Sequence, residues 1–289
     1  MEFIDSSLIG NLPTTVLLIV IAIFLATLSK GADLLVEEAV ALSIRWGVSS
    51  VVIGATIVSL GTTLPEAAVS VMSAVRGNPG LALGNAVGSI IADTGLILGL
   101  AALIRPLPLQ REVVNRQGWI QVGAGFLLVF GCFPWSHPAA VFTEGGRLPQ
   151  AMGWVLVVLL VLYLYATIRW TRGATVEATG HGHTAGGVTA AEVDEAKRST
   201  LLILVKLIAG IALVVVSSQV LIPAVEETAL RLNVPDAIIA ATLVAFGTSL
   251  PELVTALTAV RRNHGELAVG NVIGADILNV LFVAGTSAA

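Results

Sequence analysis

Charge is scarce in this chain. Of its 289 residues, 12% are Asp, Glu, Lys or Arg and 56% are hydrophobic, about half the charge of an ordinary soluble domain. Aromatic residues make up only 5%, so the apolar content is aliphatic. Cys132 is the single cysteine, which excludes an internal disulfide. His137, His181, His183 and His264 are the four histidines, and all fall in stretches that read as loops. That placement argues against a buried zinc or iron centre. The net charge of −4, with scattered basic residues, leaves no basic patch for nucleic acid. Glu2 and Asp5 stand where a cleavable signal would be basic.

The apolar residues come in blocks near the length of about 20 that spans a bilayer. Eight spans are expected, at 12–29, 48–74, 80–104, 118–133, 151–170, 200–222, 235–260 and 267–287. This is an all-α membrane protein by pattern, since several such blocks in series leave no polar face. Charge placement orients it. With the N-terminus outside, the inside loops receive Lys30, Arg45, Arg105, Arg111, Arg116, Arg169, Arg172, Lys197, Arg198, Arg261 and Arg262. The outside loops receive only Arg76, Arg147 and Arg231. The polar stretch 173–199 is then cytoplasmic. It is rich in Gly, Ala, Thr and acids and reads as a mobile linker.

One phrase occurs twice. Gly61-Thr62-Thr63-Leu64-Pro65-Glu66 recurs as Gly247-Thr248-Ser249-Leu250-Pro251-Glu252, and an offset of 186 superposes the surrounding residues without a gap. Five expected spans separate equivalent points, an odd number, so the copies enter the membrane from opposite sides. Inverted-topology repeats of this kind are a construction of secondary transporters. Residues 1–172 are expected to form a first repeat of five spans, with its signature at 54–99. Residues 200–289 are expected to form three spans of a second repeat, with its signature at 240–285. The partners of the fourth and fifth spans would lie beyond Ala289. The chain is therefore expected to hold eight spans of a ten-span protein.

A carboxylate inside a membrane segment costs roughly 2.5–3.5 kcal/mol on insertion scales and usually marks an ion or proton path. Pro65 and Pro251 break their helices and free backbone carbonyls, which a bilayer tolerates only where protein, water or an ion satisfies them. Thr62 and Thr63 precede Glu66 by four and three residues, and Thr248 and Ser249 precede Glu252 likewise, so each set shares a helix face. One turn back, the carbonyls of Ser59 and Ala245 could face the same site. Gly84-Asn85-Ala86-Val87-Gly88-Ser89 and Gly270-Asn271-Val272-Ile273-Gly274-Ala275 supply a second wall, with glycines spaced for close helix contact. Asp93 follows Ser89 by four residues, and its repeat partner is Asn279. Glu66, Glu252 and Asp93 thus converge. Three unneutralised charges are untenable at low dielectric, so cations or protons must balance them. The ligand set is oxygen only, which suits hard cations such as Na+ and Ca2+.

At these residues the chain resembles the sodium/calcium exchanger family of the cation/calcium antiporter superfamily, in its prokaryotic form. The resemblance covers both signatures, about 45–105 and 231–289, and implies ten spans with four core helices around mid-membrane ion sites. It implies exchange of Ca2+ for Na+ by alternating access. Glu66 and Glu252 would be the central Ca2+ ligands, shared with Na+. Thr62, Thr63, Thr248, Ser249 and Ser89 would add hydroxyl or carbonyl oxygens. Asp93 and Asn279 would complete the wall, and the Ser59 and Ala245 carbonyls would reach flanking Na+ sites. Two features depart from some family members: the acid and amide at the 93/279 pair are exchanged, and Ala275 lacks the hydroxyl of Ser89. Ca2+/H+ exchange and K+-dependent Na+/Ca2+ exchange are the alternative transport readings. A two-carboxylate membrane hydrolase is disfavoured by the lack of a nucleophile constellation within the spans, and a channel would show no counterflow. No enzymatic activity and no cofactor are expected. The partners are Ca2+, Na+ and the lipid bilayer.

Overall fold

The computed structural model describes residues 9–107, 111–135, 138, 146–174, 189–234 and 247–289. Regular structure there is helical, and no strand occurs among the described residues. Among the described residues, five helices are long and apolar enough to cross a bilayer: α1 (Thr14–Trp46), α4 (Pro79–Ile104), α6 (Gln150–Ala174, of which Gln150–Thr167 is the part that meets that test), α8 (Thr200–Arg231) and α10 (Gly265–Ala288). Helices α2 (Ser50–Thr62) and α3 (Leu64–Val75) are bent by 46° at Thr63 and make a sixth if taken as one span. Helix α5 (Arg111–Cys132) lies over the expected fourth span, α7 (Ala190–Ala196) is short, and α9 (Leu250–Arg261) covers the end of the expected seventh. The start of that span, 235–246, lies outside the described residues, as do His137, His181 and His183.

The outer surface is that of a membrane protein. Leu103, Trp119, Phe126 and Leu201 are each at least 73% exposed, an arrangement that water would penalise and lipid does not. Inside, α10 is the central post, with 94% of its apolar window buried against 22–28% for the other four.

Two expected spans run on further than their apolar blocks. The block 12–29 continues as helix to Trp46, and 200–222 continues to Arg231. The acids that read as a loop after Leu28 are instead paired on the helix. Asp33 binds Arg262, and the fully buried Glu38 binds Arg198 at 2.9 Å and Lys206 at 3.3 Å. Glu37, Glu38 and Glu195 bring carboxylate oxygens within 4.8 Å of one another. Arg198 pairs with all three, reaching Glu195 at 2.5 Å, and Lys206 and Arg262 bring two further positive charges to Glu38 and Glu37.

Helices α1 and α8 run antiparallel and touch through glycine: a Cβ on Gly31 would stand 2.8 Å from Leu213 Cβ, and one on Gly210 2.8 Å from the Leu35 nitrogen. Both ends are tied. Arg45 donates to Thr200 Oγ1 at 2.6 Å and to the Ala196 carbonyl at 3.0 Å. Arg231 donates to Thr14 Oγ1 at 3.1 Å and to the Gly10 carbonyl at 2.9 Å. Every residue of the first tie lies 186 positions from its counterpart in the second.

Helix α7 is held by a capping box between Thr189 and Glu192, and Glu192 also reaches His264, in the turn between α9 and α10, at 2.9 Å. Burial raises the Glu192 carboxyl, but the Thr189 N–H and the His264 ring outweigh it and leave Glu192 below its ordinary value of 4.5. A lowered carboxylate contributes stability that is present above the unfolded value and lost as pH falls through the folded one. The tie between α7 and the α9–α10 turn is therefore intact at neutral pH and released in acid, below pH 4.5. A nitroxide on Val193→Cys, in a Cys132→Ser background, is expected to be immobilised near neutral pH and freed in acid, below pH 4.5. Glu192→Ala is expected to free it at neutral pH as well.

Candidate functional site

Each copy of the repeated phrase forms a helix break. In the first, the Thr63 N–H still bonds to the Ser59 carbonyl at 2.9 Å, and α3 restarts with Pro65 in its first turn and Glu66 behind it. In the second, Ser249 is the N-cap of α9, with Pro251 and Glu252 in the first turn. A carboxylate in a first helical turn is favoured by the helix dipole. The sequence places Thr62, Thr63 and Glu66 along one continuous helix face. The bend at Thr63 interrupts that helix, because Pro65 cannot donate to it, and the hydroxyls turn to the opposite copy instead.

The result is a reciprocal exchange. Thr63 Oγ1 donates to Glu252 Oε1 at 3.2 Å, and Ser249 Oγ donates to Glu66 Oε1 at 3.4 Å. Thr62 Oγ1 reaches Asn271 Oδ1 at 3.5 Å, and Thr248 Oγ1 reaches Asn85 Oδ1 at 3.4 Å. Each bond maps onto the other of its pair by the 186-residue offset. Asn85 and Asn271 sit in the glycine-flanked second walls. Asn85 also donates to the Glu66 carbonyl at 3.4 Å.

Burial is nearly complete. Ser59, Thr62, Thr63 and Asp93 are 0% exposed, and Glu66, Ser89, Ser249, Glu252 and Asn279 are 1–2% exposed. Thr248 is partly buried, and Ala245 lies outside the described residues. Asp93 and Asn279 each lie in a π-helical turn, Ala92–Ile97 in α4 and Asn279–Ala284 in α10. Such turns are rare and concentrate at functional sites. Within the described residues, Glu66 Oε2, Glu252 Oε2, both Asp93 oxygens and Asn279 Oδ1 are buried and form no hydrogen bond. No described salt bridge involves Glu66, Asp93 or Glu252. An unpaired buried oxygen is costly unless something binds it, and these are oxygens of the kind hard cations take.

The second wall is packed against the first by glycine. A Cβ on Gly270 would stand 2.2 Å from the Val51 carbonyl oxygen, and one on Gly274 2.5 Å from Ala55 Cα. The expected close helix contact is therefore present here, backbone to backbone. For Gly84 and Gly88 no such neighbour occurs among the described residues, and the positions equivalent to Val51 and Ala55 fall within 235–246.

One acid was not anticipated. Asp276 in α10 is 1% exposed and accepts from Thr94 Oγ1 at 2.5 Å and from Gln121 Nε2 of α5. Its repeat equivalent is Ile90, so a reading guided by matched positions passes over it. Its place inside an apolar span was the available signal, the same one that singles out Asp93. Gln117, also on α5, accepts from Tyr163, whose hydroxyl lies 3.1 Å from the Ala55 carbonyl in the π-helical turn of α2.

A bundle of apolar helices that buries acids and hydroxyls at paired helix breaks, with no described salt bridge among them, defines an ion-transporting membrane protein. Comparison with known sequences narrows the class. The profile described as sodium/calcium exchanger protein matches residues 16–169 and 202–289, and the chain belongs to that family. It is 34% identical to the inner membrane protein YrbG of Escherichia coli over 273 residues, 94% of this chain and 78% of YrbG. It is 31% identical to the sodium/calcium exchanger MaX1 of Methanosarcina acetivorans over 294 aligned residues, 94% of this chain and 83% of MaX1. The sodium-calcium exchanger NCX_Mj, solved with 10 mM Na+ and zero Ca2+, superposes with a TM-score of 0.75 at 29% identity, covering 96% of this chain and 83% of NCX_Mj.

Proposed function

We propose that this protein is a secondary antiporter that exchanges Ca2+ for Na+ across the cell membrane by alternating access. The reciprocal pairing of Thr63 with Glu252 and Ser249 with Glu66 carries the reading. It leaves one buried carboxylate oxygen on each glutamate without a hydrogen bond. Glu66 and Glu252 would hold Ca2+ centrally. Thr62, Thr63, Thr248, Ser249 and Ser89 would supply further oxygens, Asp93 and Asn279 the adjoining wall, and the Ser59 and Ala245 carbonyls the flanking Na+ positions.

The exchange of contacts between residues 186 apart, at the glutamates and again at Arg45 and Arg231, is what two inverted halves joined by a linker at 173–199 would produce. It supports repeats at 1–172 and 200–289. Charge asymmetry supports an outside N-terminus and a cytoplasmic linker. A reporter fused after residue 185 is expected to report the cytoplasm, and an extracellular signal would reverse the topology.

The function is tested by Ca2+ flux in vesicles holding the purified protein. An imposed Na+ gradient is expected to drive Ca2+ movement with no pH gradient and no K+. Flux driven by pH alone would make it a Ca2+/H+ exchanger, and a requirement for K+ would place it with the K+-dependent exchangers.

A further inference from the structure

We infer that Asp276 is a fourth cation-binding acid of the transport site, taking a monovalent cation of the Na+ class together with Asp93 and Asn279. The inference rests on the exchanger reading above and extends its ligand set. Three observations converge. Asp276 is buried to the same degree as Glu66 and Glu252. Thr94 and Gln121 both donate to its Oδ2, which fixes the carboxylate and leaves the buried Oδ1 with no hydrogen bond. Asn279 lies three residues on, on the same side of α10, with a free buried Oδ1. Asp93 immediately precedes Thr94, the residue that donates to Asp276, and presents two more buried oxygens with no hydrogen bond.

The plain alternative is that Asp276 merely ties α10 to α4 and α5. That role does not need a carboxylate. An asparagine could accept the same two hydrogen bonds through its single amide oxygen, whereas the carboxylate adds a second oxygen that nothing in the protein uses. It also adds a charge. Glu66, Glu252, Asp93 and Asp276 together make four acids, and no described salt bridge reaches any of them. A Ca2+ ion balances two. Cations or protons must balance the rest, and Asp93, Asp276 and Asn279 each keep a buried carboxylate or amide oxygen without a hydrogen bond, of the kind Na+ accepts. The cation held there is separate from the one between the two glutamates.

Asp276→Asn keeps the hydrogen bonds and removes the charge, while Thr94→Val removes a hydrogen bond and keeps the charge. In vesicles, Asp276→Asn is expected to raise the half-saturating Na+ concentration for Ca2+ flux about tenfold, the order expected for one lost charge-assisted ligand. It is also expected to lower the Na+ Hill coefficient by about one unit, as one fewer Na+ binds. Thr94→Val is expected to keep the steepness. A Na+ activation curve for Asp276→Asn that overlays the wild type, or the same loss of steepness in both variants, would overturn the inference. Should a variant pass no flux, equilibrium binding of radioactive Na+ to the purified, monodisperse protein decides. One Na+ fewer per chain in Asp276→Asn supports the inference, and an equal count overturns it. Failure of the wild type to move Ca2+ on a Na+ gradient would instead overturn the exchanger reading, while the Na+ count would still decide the role of Asp276.

Discussion

Glu252→Gln is expected to reduce Na+-driven Ca2+ flux by about a hundredfold or more, and Glu66→Gln to do the same. Each glutamate spends one oxygen on a hydroxyl of the opposite copy and leaves the other free. Glutamine can keep the first contact by accepting through its amide oxygen. The free position then carries an NH2 group, a donor aimed where a cation would sit. Loss of a charge-assisted contact is worth about 1.5–3 kcal/mol, and the repulsive donor adds to it. Since glutamine has the shape of glutamate and keeps the hydroxyl contact, the variants should still purify as folded protein. The check is flux in vesicles beside size-exclusion behaviour in detergent. Retention of more than a tenth of wild-type flux by either variant would defeat the shared site, because the reciprocal geometry makes the two glutamates equivalent.

The largest effect on stability is expected at Gly270. A Cβ there would overlap the Val51 carbonyl oxygen at 2.2 Å, and the approach is matched nearby, where a Cβ on Gly54 would meet the Leu267 carbonyl at 2.6 Å. The obstructing atoms are backbone, so no rotamer change relieves them. Helices α2 and α10 must separate, which parts the wall bearing Asp276 and Asn279 from the helix that leads to Thr63. Overpacking of a core usually costs 1–3 kcal/mol and occasionally more. Gly270→Val belongs at or above the top of that range, about 3 kcal/mol, with a fall in melting temperature of roughly 10 °C. A fluorescence-detected thermal melt in detergent measures it. A shift under about 2 °C would mean that the two backbones are not held in contact.

Much of this site was legible because rare residues stand where lipid forbids them. Pro65 and Pro251 had to break their helices, and Glu66, Glu252 and Asp93 had to turn into the protein, because they stand inside long apolar stretches where the alternative is lipid. What stayed hidden depends on distance between segments. That Thr63 serves Glu252 rather than Glu66 follows from a 46° bend, whose direction no local pattern encodes. Helix α1 outran its apolar block because Glu38 meets Arg198 and Lys206, which lie 160 and 168 residues away. Until those partners are placed, a buried glutamate reads as the start of a loop. Asp276 was missed for a different reason: attention to matched positions hides a residue that only one copy possesses.

The α1–α8 pair has a mechanical consequence. At 1.5 Å per residue, its 33- and 32-residue helices are about 50 Å long. The hydrocarbon they cross is about 30 Å thick. Even tilted by 40°, the steep end of what bundles adopt, such a helix projects about 38 Å along the membrane normal. The pair therefore stands proud of the oily layer, and its two arginine knots, at Arg45 and at Arg231, lie at opposite extremities. A beam fastened at both ends resists shear as well as bending. Alternating access, as proposed for this protein, would have to carry this beam whole or slide along it as a rail.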